Sequence, residues 1–172
     1  MANSFELKFV LPPGTSAISR LPPLIQSNVI RALKDGMLIA ERISKTQYLS
    51  GPRPEKLAVK TGLLRSRVLG ILAGTGGDPK VFASGVLGVS GVIYARIHEL
   101  GGITKPHPIE ARNKPRLVFF WKKKGIWMSI RKVSHPGSRI PARPYLRPAF
   151  DQAKPSIENL IQLAINKAYK DS

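Results

Sequence analysis

Ile140-Pro141-Ala142-Arg143-Pro144-Tyr145-Leu146-Arg147-Pro148-Ala149-Phe150-Asp151 joins a basic, proline-punctuated loop to the last helical pattern of the chain. Prolines at 141, 144 and 148 fix φ near about −65° and bias the residues before them toward extended backbone. Arg143 and Arg147 are thereby held on a stiff frame. Pro148 suits the first turn of a helix, and Phe150, Ile157, Leu160, Ile161, Ala164, Ile165 and Ala168 then recur at helical spacings, which puts one apolar face on a core. The pattern predicts a helix over about 148–170. Taken alone, the same residues also read as a proline-rich lead-in to that helix with no ligand to bind.

Upstream, Leu117–Trp121 and Ile126–Val133 flank Lys122-Lys123-Lys124-Gly125 and read as a hairpin with an all-basic tip. Lysines at such a tip discourage edge-to-edge pairing, and they equally offer a polyanion contact. The residues of the tip leave both uses open. The chain as a whole is strongly basic: 28 Lys and Arg against 10 Asp and Glu leave +18, with a sequence pI near 10.8. That charge is unevenly placed. Residues 105–147 hold 12 basic side chains and one acidic, whereas 148–172 hold three of each. A nucleic acid or an acidic protein surface is therefore expected to meet the 105–147 segment, with Lys122, Lys123, Lys124, Arg139, Arg143 and Arg147 as the contact residues. An alternative for Arg143 is a bidentate bridge to Glu99 or to a neighbouring subunit.

The first half of the chain supplies a platform. Phe5, Leu7, Phe9 and Leu11 alternate with Ser4, Glu6, Lys8 and Val10 and predict a strand, ended by Pro12-Pro13-Gly14. Pro22-Pro23 opens an amphipathic pattern through Leu24, Ile25, Val29, Ala32, Leu33, Gly36, Met37, Ala40 and Ile43, which predicts a helix over about 22–48. Gly36 costs roughly 1 kcal/mol relative to Ala inside a helix, so its presence predicts a close contact there. Thr61-Gly62-Leu63-Leu64-Arg65-Ser66 reads as a short turn with Thr61 as N-cap. Val68–Ala73 and Val81–Val89 read as strands joined by a loop at Gly74-Thr75-Gly76-Gly77-Asp78-Pro79. A two-turn helix is expected over Val92–Leu100, with Ile93, Ile97 and Leu100 on one face and Gly101-Gly102 as a left-handed stop. The class is α+β in a single domain over 1–172: an antiparallel sheet, built from 67–89 and 116–133, packed against the two long helices. Residues 1–21 read as an extended arm or a strand exchanged with a neighbour.

Catalytic, metal and cofactor chemistry finds no footing in these residues. There is no cysteine, His98-Glu99 lacks the second histidine of a zinc-protease helix, and His107 and His135 follow at spacings without metal logic. The glycine run at 74–77 lacks the Lys-Ser/Thr ending of a phosphate loop. Only Glu99 and Glu110 are acidic between 79 and 150, too few for a metal-dependent nuclease. Neither a basic leader with an apolar run nor eighteen consecutive apolar residues occurs, so a soluble, unexported chain is expected. The aromatics Phe119, Phe120, Trp121 and Trp127 follow no RNA-recognition pattern.

Tyr94-x-x-x-His98-Glu99-x-Gly101-Gly102, the basic hairpin, the Ile140–Phe150 stretch and a closing helix occur in an order that resembles the tail-completion (neck, minor tail component) proteins of long-tailed bacteriophages. The upstream turn Thr61-Gly62-Leu63-Leu64-Arg65-Ser66 is similar to the family's Thr-Gly-x-Leu turn, and Tyr145 stands where the family has Phe. About residues 55–170 share the pattern, on which Thr61, Gly62, Tyr94, His98, Glu99, Gly101, Pro141, Arg143, Pro144, Tyr145 and Pro148 fall as structural positions. The resemblance implies a non-enzymatic virion protein without cofactors, made in the host cytoplasm and placed at the neck or tail top. It implies a homo-oligomeric ring, expected as a hexamer, beside other neck, connector and tail-tube proteins, with DNA passing through the lumen and no membrane contact. The alternatives are a tail terminator protein and a free, sequence-independent nucleic-acid-binding module.

Overall fold

The order of elements follows the apolar periodicities closely. A computed structural model describes residues 5–10, 23–52, 56–78 and 81–170, in the order β1 Phe5–Val10, α1 Pro23–Ile43, α2 Leu63–Ser66, β2 Val68–Asp78, β3 Val81–Val89, α3 Ala95–Leu100, β4 Gly102–Ile103, β5 His107–Glu110, β6 Leu117–Trp121, β7 Ile126–Ile130, β8 Lys132–His135, β9 Arg139–Ile140 and α4 Arg147–Lys170. The fold is α+β, with the two expected long helices. Helix α1 begins at a proline, whose missing N–H has no acceptor in a first turn anyway. It runs on through a π-turn, Ser44–Tyr48, closed by Leu49 N–H donating to Ser44 O (3.0 Å).

Burial follows the predicted stripe on α1, where Ile25, Val29, Ala32, Leu33, Met37 and Ala40 are buried. On α4 the buried line is Ala149, Ala153, Ile157 and Ile161, while Phe150, Leu160, Ala164 and Ile165 of the predicted stripe are half-buried at its margin. The two helices pack on each other, and at Gly36 there is no room for a side chain: a Cβ there would lie 2.7 Å from Ile157 Cγ1. The anticipated close contact is thus the reason a glycine is kept mid-helix. On its other side α1 lies against β2, where a Cβ on Gly70 would overlap the Met37 carbonyl oxygen. Gly70 N–H donates to Glu41 Oε2 (2.8 Å), and Glu41 Oε1 also holds Lys45 Nζ (2.7 Å), so one carboxylate pins the helix to the strand. Pro155, exposed within α4, gives no N–H to the Asp151 carbonyl, yet the helix continues through it.

Among the described residues the core sheet has three antiparallel strands in the order β1-β3-β2, with Phe5↔Val89 and Val68↔Val89 fixing the register on either side of β3. Residues 83–87 of that central strand are all buried. Two expectations change here. The glycine run is strand up to Asp78, with register shifts between Leu72 and Gly74 and between Thr75 and Asp78, because glycines accommodate the bulges that a loop would otherwise supply. The first strand pairs with β3 of its own chain; the rest of the 1–21 arm lies outside the described residues.

The 116–133 hairpin does not join this sheet. Among the described residues its strands β6 and β7 pair only with each other, inside two further nested ladders, β5 with β8 and β4 with β9. Residues 102–140 therefore make one two-stranded ribbon. Gly102↔Ile140 and His107↔His135 share a register that continues to Ala111, whose N–H donates to Arg131 O (3.4 Å). Residues 112–116 are then extra on the outgoing strand, because the next pair is Leu117↔Ile130. Pairing within the ribbon, rooted at Gly102 and Ile140, takes precedence over pairing with an edge of the core sheet. The ladders hold two, four and five pairs, which at about 3.3 Å per residue comes to about 35 Å of paired strand. Among the described residues no buried apolar side chain lies between Ala95 and Tyr145, so the ribbon adds nothing to the core. No described helix is long and apolar enough to cross a membrane.

Candidate functional site

Glu99 organises the region where the motif residues meet. Its Oε2 accepts the N–H groups of Tyr145 (2.7 Å) and Leu146 (2.9 Å), and its Oε1 that of Arg147 (3.0 Å). A carboxylate thus sits at the start of α4, where backbone donors lack intrahelical acceptors and the helix dipole favours negative charge. Pro148 removes a further donor from that turn. The side chain of Glu99 is only 4% exposed, and serving it turns α3 away from the face that its apolar residues predict. The helix covers Ala95–Leu100 rather than starting at Val92, and it buries Ala95 and Glu99 while Ile93 is 83% and Leu100 53% exposed. A buried carboxylate with three donors outweighs an apolar stripe.

The same contacts lock the proline-rich loop. Arg143 N–H donates to His98 O (2.8 Å), and the Tyr145 hydroxyl, fully buried, donates to Ala95 O (3.3 Å). Burial, together with the nearby Glu99 charge, pushes the Tyr145 phenol well above the usual tyrosine range. Gly101 ends α3 at φ 70° and ψ 179°, a conformation open to glycine and extended rather than the left-handed stop expected. A Cβ there would also lie 2.8 Å from Ala142 N, so the loop passes where a side chain would stand. The bridge from Arg143 to Glu99 does not form, since Glu99 is filled by backbone donors. Ion pairs among the described residues are Lys45–Glu41, Lys132–Glu110 and Lys154–Glu158.

Beside this clamp lies a cavity of about 500 Å³. Leu49, Leu57 and Leu64 give it apolar walls; Tyr94, at the N-cap of α3, and His98, four residues on within it, face it with their rings edge to face at 5.7 Å. Thr61, Gly62 and Arg143 complete the group, together with Lys60 and Arg65. Gly62, not Thr61, occupies the N-cap position of α2, at φ 76°; the Thr61 hydroxyl accepts a long bond from Leu63 N–H (3.4 Å). The left-handed backbone required there suits glycine, which displaces threonine by one position. Five residues singled out along the sequence, Thr61, Gly62, Tyr94, His98 and Arg143, thus enclose one space. The leucines of its wall were not foreseen: only the Tyr94–His98 spacing hints at a shared face, and Leu49, Leu57 and Leu64 follow no period.

The six predicted basic contact residues fall into four places. Lys122, Lys123 and Lys124 form the ribbon tip, where the N–H groups of Lys124 and Gly125 both donate to Trp121 O (3.0 and 2.9 Å). Arg139 lies at the ribbon root opposite Ile103, Arg143 in the cavity wall, and Arg147 exposed at the start of α4. Pro141 and Pro144 are exposed and Pro148 is half-buried. Near the tip the ribbon is apolar on both faces: Val118 and Phe120 share one with Trp127, and Leu117, Phe119 and Trp121 share the other with Ile126, Met128 and Ile130. Val118 is 65% and Trp127 72% exposed. Phe120 and Trp127 meet edge to face at 5.6 Å, and Lys124 Nζ stands 4.8 Å over the Trp121 ring. Further down, the Lys132 hydrogen bond and charge hold Glu110 below the usual carboxylate range, which occupies the one acidic group of the segment.

No three His, Cys, Asp or Glu side chains gather among the described residues in a way that would hold a metal ion. What the arrangement offers is surface: an apolar ribbon with a cationic tip, and a lined cavity at its root. Compared with family models, with curated proteins and with solved structures, the chain has no match in any of the three.

Proposed function

We propose that the chain is a structural subunit of the head-tail joint of a long-tailed bacteriophage, a tail-completion or neck protein that forms a ring, joins head to tail and lets DNA pass. The motif order supports this reading, and the ribbon is the observation that carries it. A two-stranded ribbon is at best marginally stable alone in water, and this one leaves aromatic and aliphatic side chains exposed on both faces. Contiguous apolar surface of that kind marks an interaction site. In a closed ring every copy gives its ribbon to a neighbour and receives one, so each is covered by the same contact. The expected copy number is six, the expected neighbours are connector and tail-tube proteins, and the expected place is the virion neck, reached from the host cytoplasm. The core needs no catalytic group for this work; Glu99 ties the start of α4, a few residues beyond the ribbon root, to α3.

Cations at the ribbon tip then meet the passing phosphates without reading bases. Reversing K122E/K123E/K124E is expected to leave stability within about 0.5 kcal/mol, since a tip outside the core changes little. DNA retention or passage should fall, and the slope of log affinity against log salt should drop by about 3 units for three lost phosphate contacts. A variant that assembles and delivers DNA as well as the parent would reduce the tip to a solubilising edge. The free nucleic-acid-binding module is favoured by one feature, the exposed Trp127 beside the lysines. It predicts tight DNA binding by the isolated chain and no ring in the particle. A tail terminator would share the ring and differ in its axial neighbour.

A further inference from the structure

We propose that the cavity bounded by Leu49, the 57–65 segment, Tyr94, His98 and Arg143 is a docking pocket for a partner protein's segment that presents a carboxylate beside an aromatic or aliphatic side chain. Its volume of about 500 Å³ lies within the range of roughly 300–1,000 Å³ typical of ligand sites. The walls supply two different chemistries. Leu49, Leu57 and Leu64 with Tyr94 ask for an apolar side chain, whereas Lys60, Arg65 and Arg143 add three basic residues to the same lining. None of the three has an acidic partner among the described residues. Glu99, adjacent in sequence to His98, is no substitute, because both its oxygens are taken by backbone N–H groups.

Arg143 is prepared for such a guest. Its backbone is tied to His98 O, and Pro141 and Pro144 stiffen the chain around it, so little freedom remains to be lost when a carboxylate arrives. A guanidinium matches a carboxylate with two parallel bonds. Another copy's ribbon tip is a poor guest, since three lysines would face three cations. A nucleic-acid strand fits less well than an acidic peptide, because its phosphates would lie against leucine walls; the open ribbon suits them better. The proposal does not require a ring, so its failure and the failure of the neck reading are separable.

The test is a titration of the full chain, followed residue by residue by nuclear magnetic resonance. The probe is acetyl-Asp-Phe-Asp-Leu-amide, with its Asn-for-Asp counterpart and an eight-nucleotide oligo-dT as comparisons. The acidic peptide is expected to shift Thr61, Leu64, Tyr94 and His98, with the Asn peptide about tenfold weaker, as the loss of a charge-assisted pair implies. Arg143→Gln should weaken binding about tenfold, and K122E/K123E/K124E should leave it unchanged. Should Arg143→Gln lose its folded spectrum, the double variant Lys60→Gln, Arg65→Gln carries the test with the same expected loss. Equal binding of the Asn peptide, shifts confined to the ribbon or scattered over the surface, unchanged binding in the cleft variants, or stronger cleft shifts with oligo-dT would each overturn the proposal.

Discussion

Glu99→Ala is expected to lower the unfolding free energy by about 4 kcal/mol, because buried donors left without acceptors cost roughly 1–3 kcal/mol each and three N–H groups depend on this carboxylate. Against the roughly 5–15 kcal/mol of a whole domain, that is a large share. The loss has a direction as well as a size. Tyr145, Leu146 and Arg147 would release the start of α4, and with it the Arg143 tether to α3. Glu99→Gln separates charge from geometry: one oxygen can still serve Tyr145 and Leu146, but an amide nitrogen would face Arg147 N–H. About half the loss, ~2 kcal/mol, is expected for it. Urea denaturation of the three proteins measures this directly, and a loss below about 1 kcal/mol for Glu99→Ala would mean that water replaces the carboxylate at little cost.

Excising the ribbon should have the opposite profile, with little effect on folding and complete loss of assembly. Thr104 and Ser138 already pair, through Thr104 N–H to Ser138 O (2.9 Å) and Ser138 N–H to Thr104 Oγ1 (2.7 Å). An Asn-Gly turn in place of residues 105–137 would close them as a two-residue hairpin. The cut removes nine basic and one acidic side chain, taking the formal charge from +18 to +10, so self-repulsion falls while no core residue is lost. Stability is expected to change by no more than about 1 kcal/mol. Ring formation on the particle should vanish, and the shortened chain should bind DNA at least about a hundredfold more weakly at moderate salt. A shortened chain that still assembles would move the interface to the core, and one that fails to fold would show that the ribbon supports it.

How far the sequence reaches differs between these two features. Both long helices were legible because their apolar residues recur at three, four and seven, and because Pro23 and Pro148 mark first turns. The hairpin at 117–130 was legible as a hairpin. Its place was not, since residues of both parities are apolar there and alternation gives no covered face; only the pairing of Gly102 with Ile140 shows that it ends a ribbon. Glu99 misled in a more instructive way. Periodicity weighs Ile93, Ile97 and Leu100 and turns them inward, but it has no means of knowing that three donors from residues 145–147 converge on the carboxylate. The cavity required the same long-range knowledge: its lining comes from three separated segments, and local pattern sees each as a turn, a short helix or a loop.

Electron cryo-microscopy of an assembled phage particle, focused on the head-tail joint, would show whether the proposed ring exists. A closed ring of this chain is expected, with six copies, in which residues 117–130 of each copy are buried against a neighbour and Lys122–Lys124 approach the DNA path. A single copy at the joint, or a ring whose ribbons stand free in solvent, would contradict it.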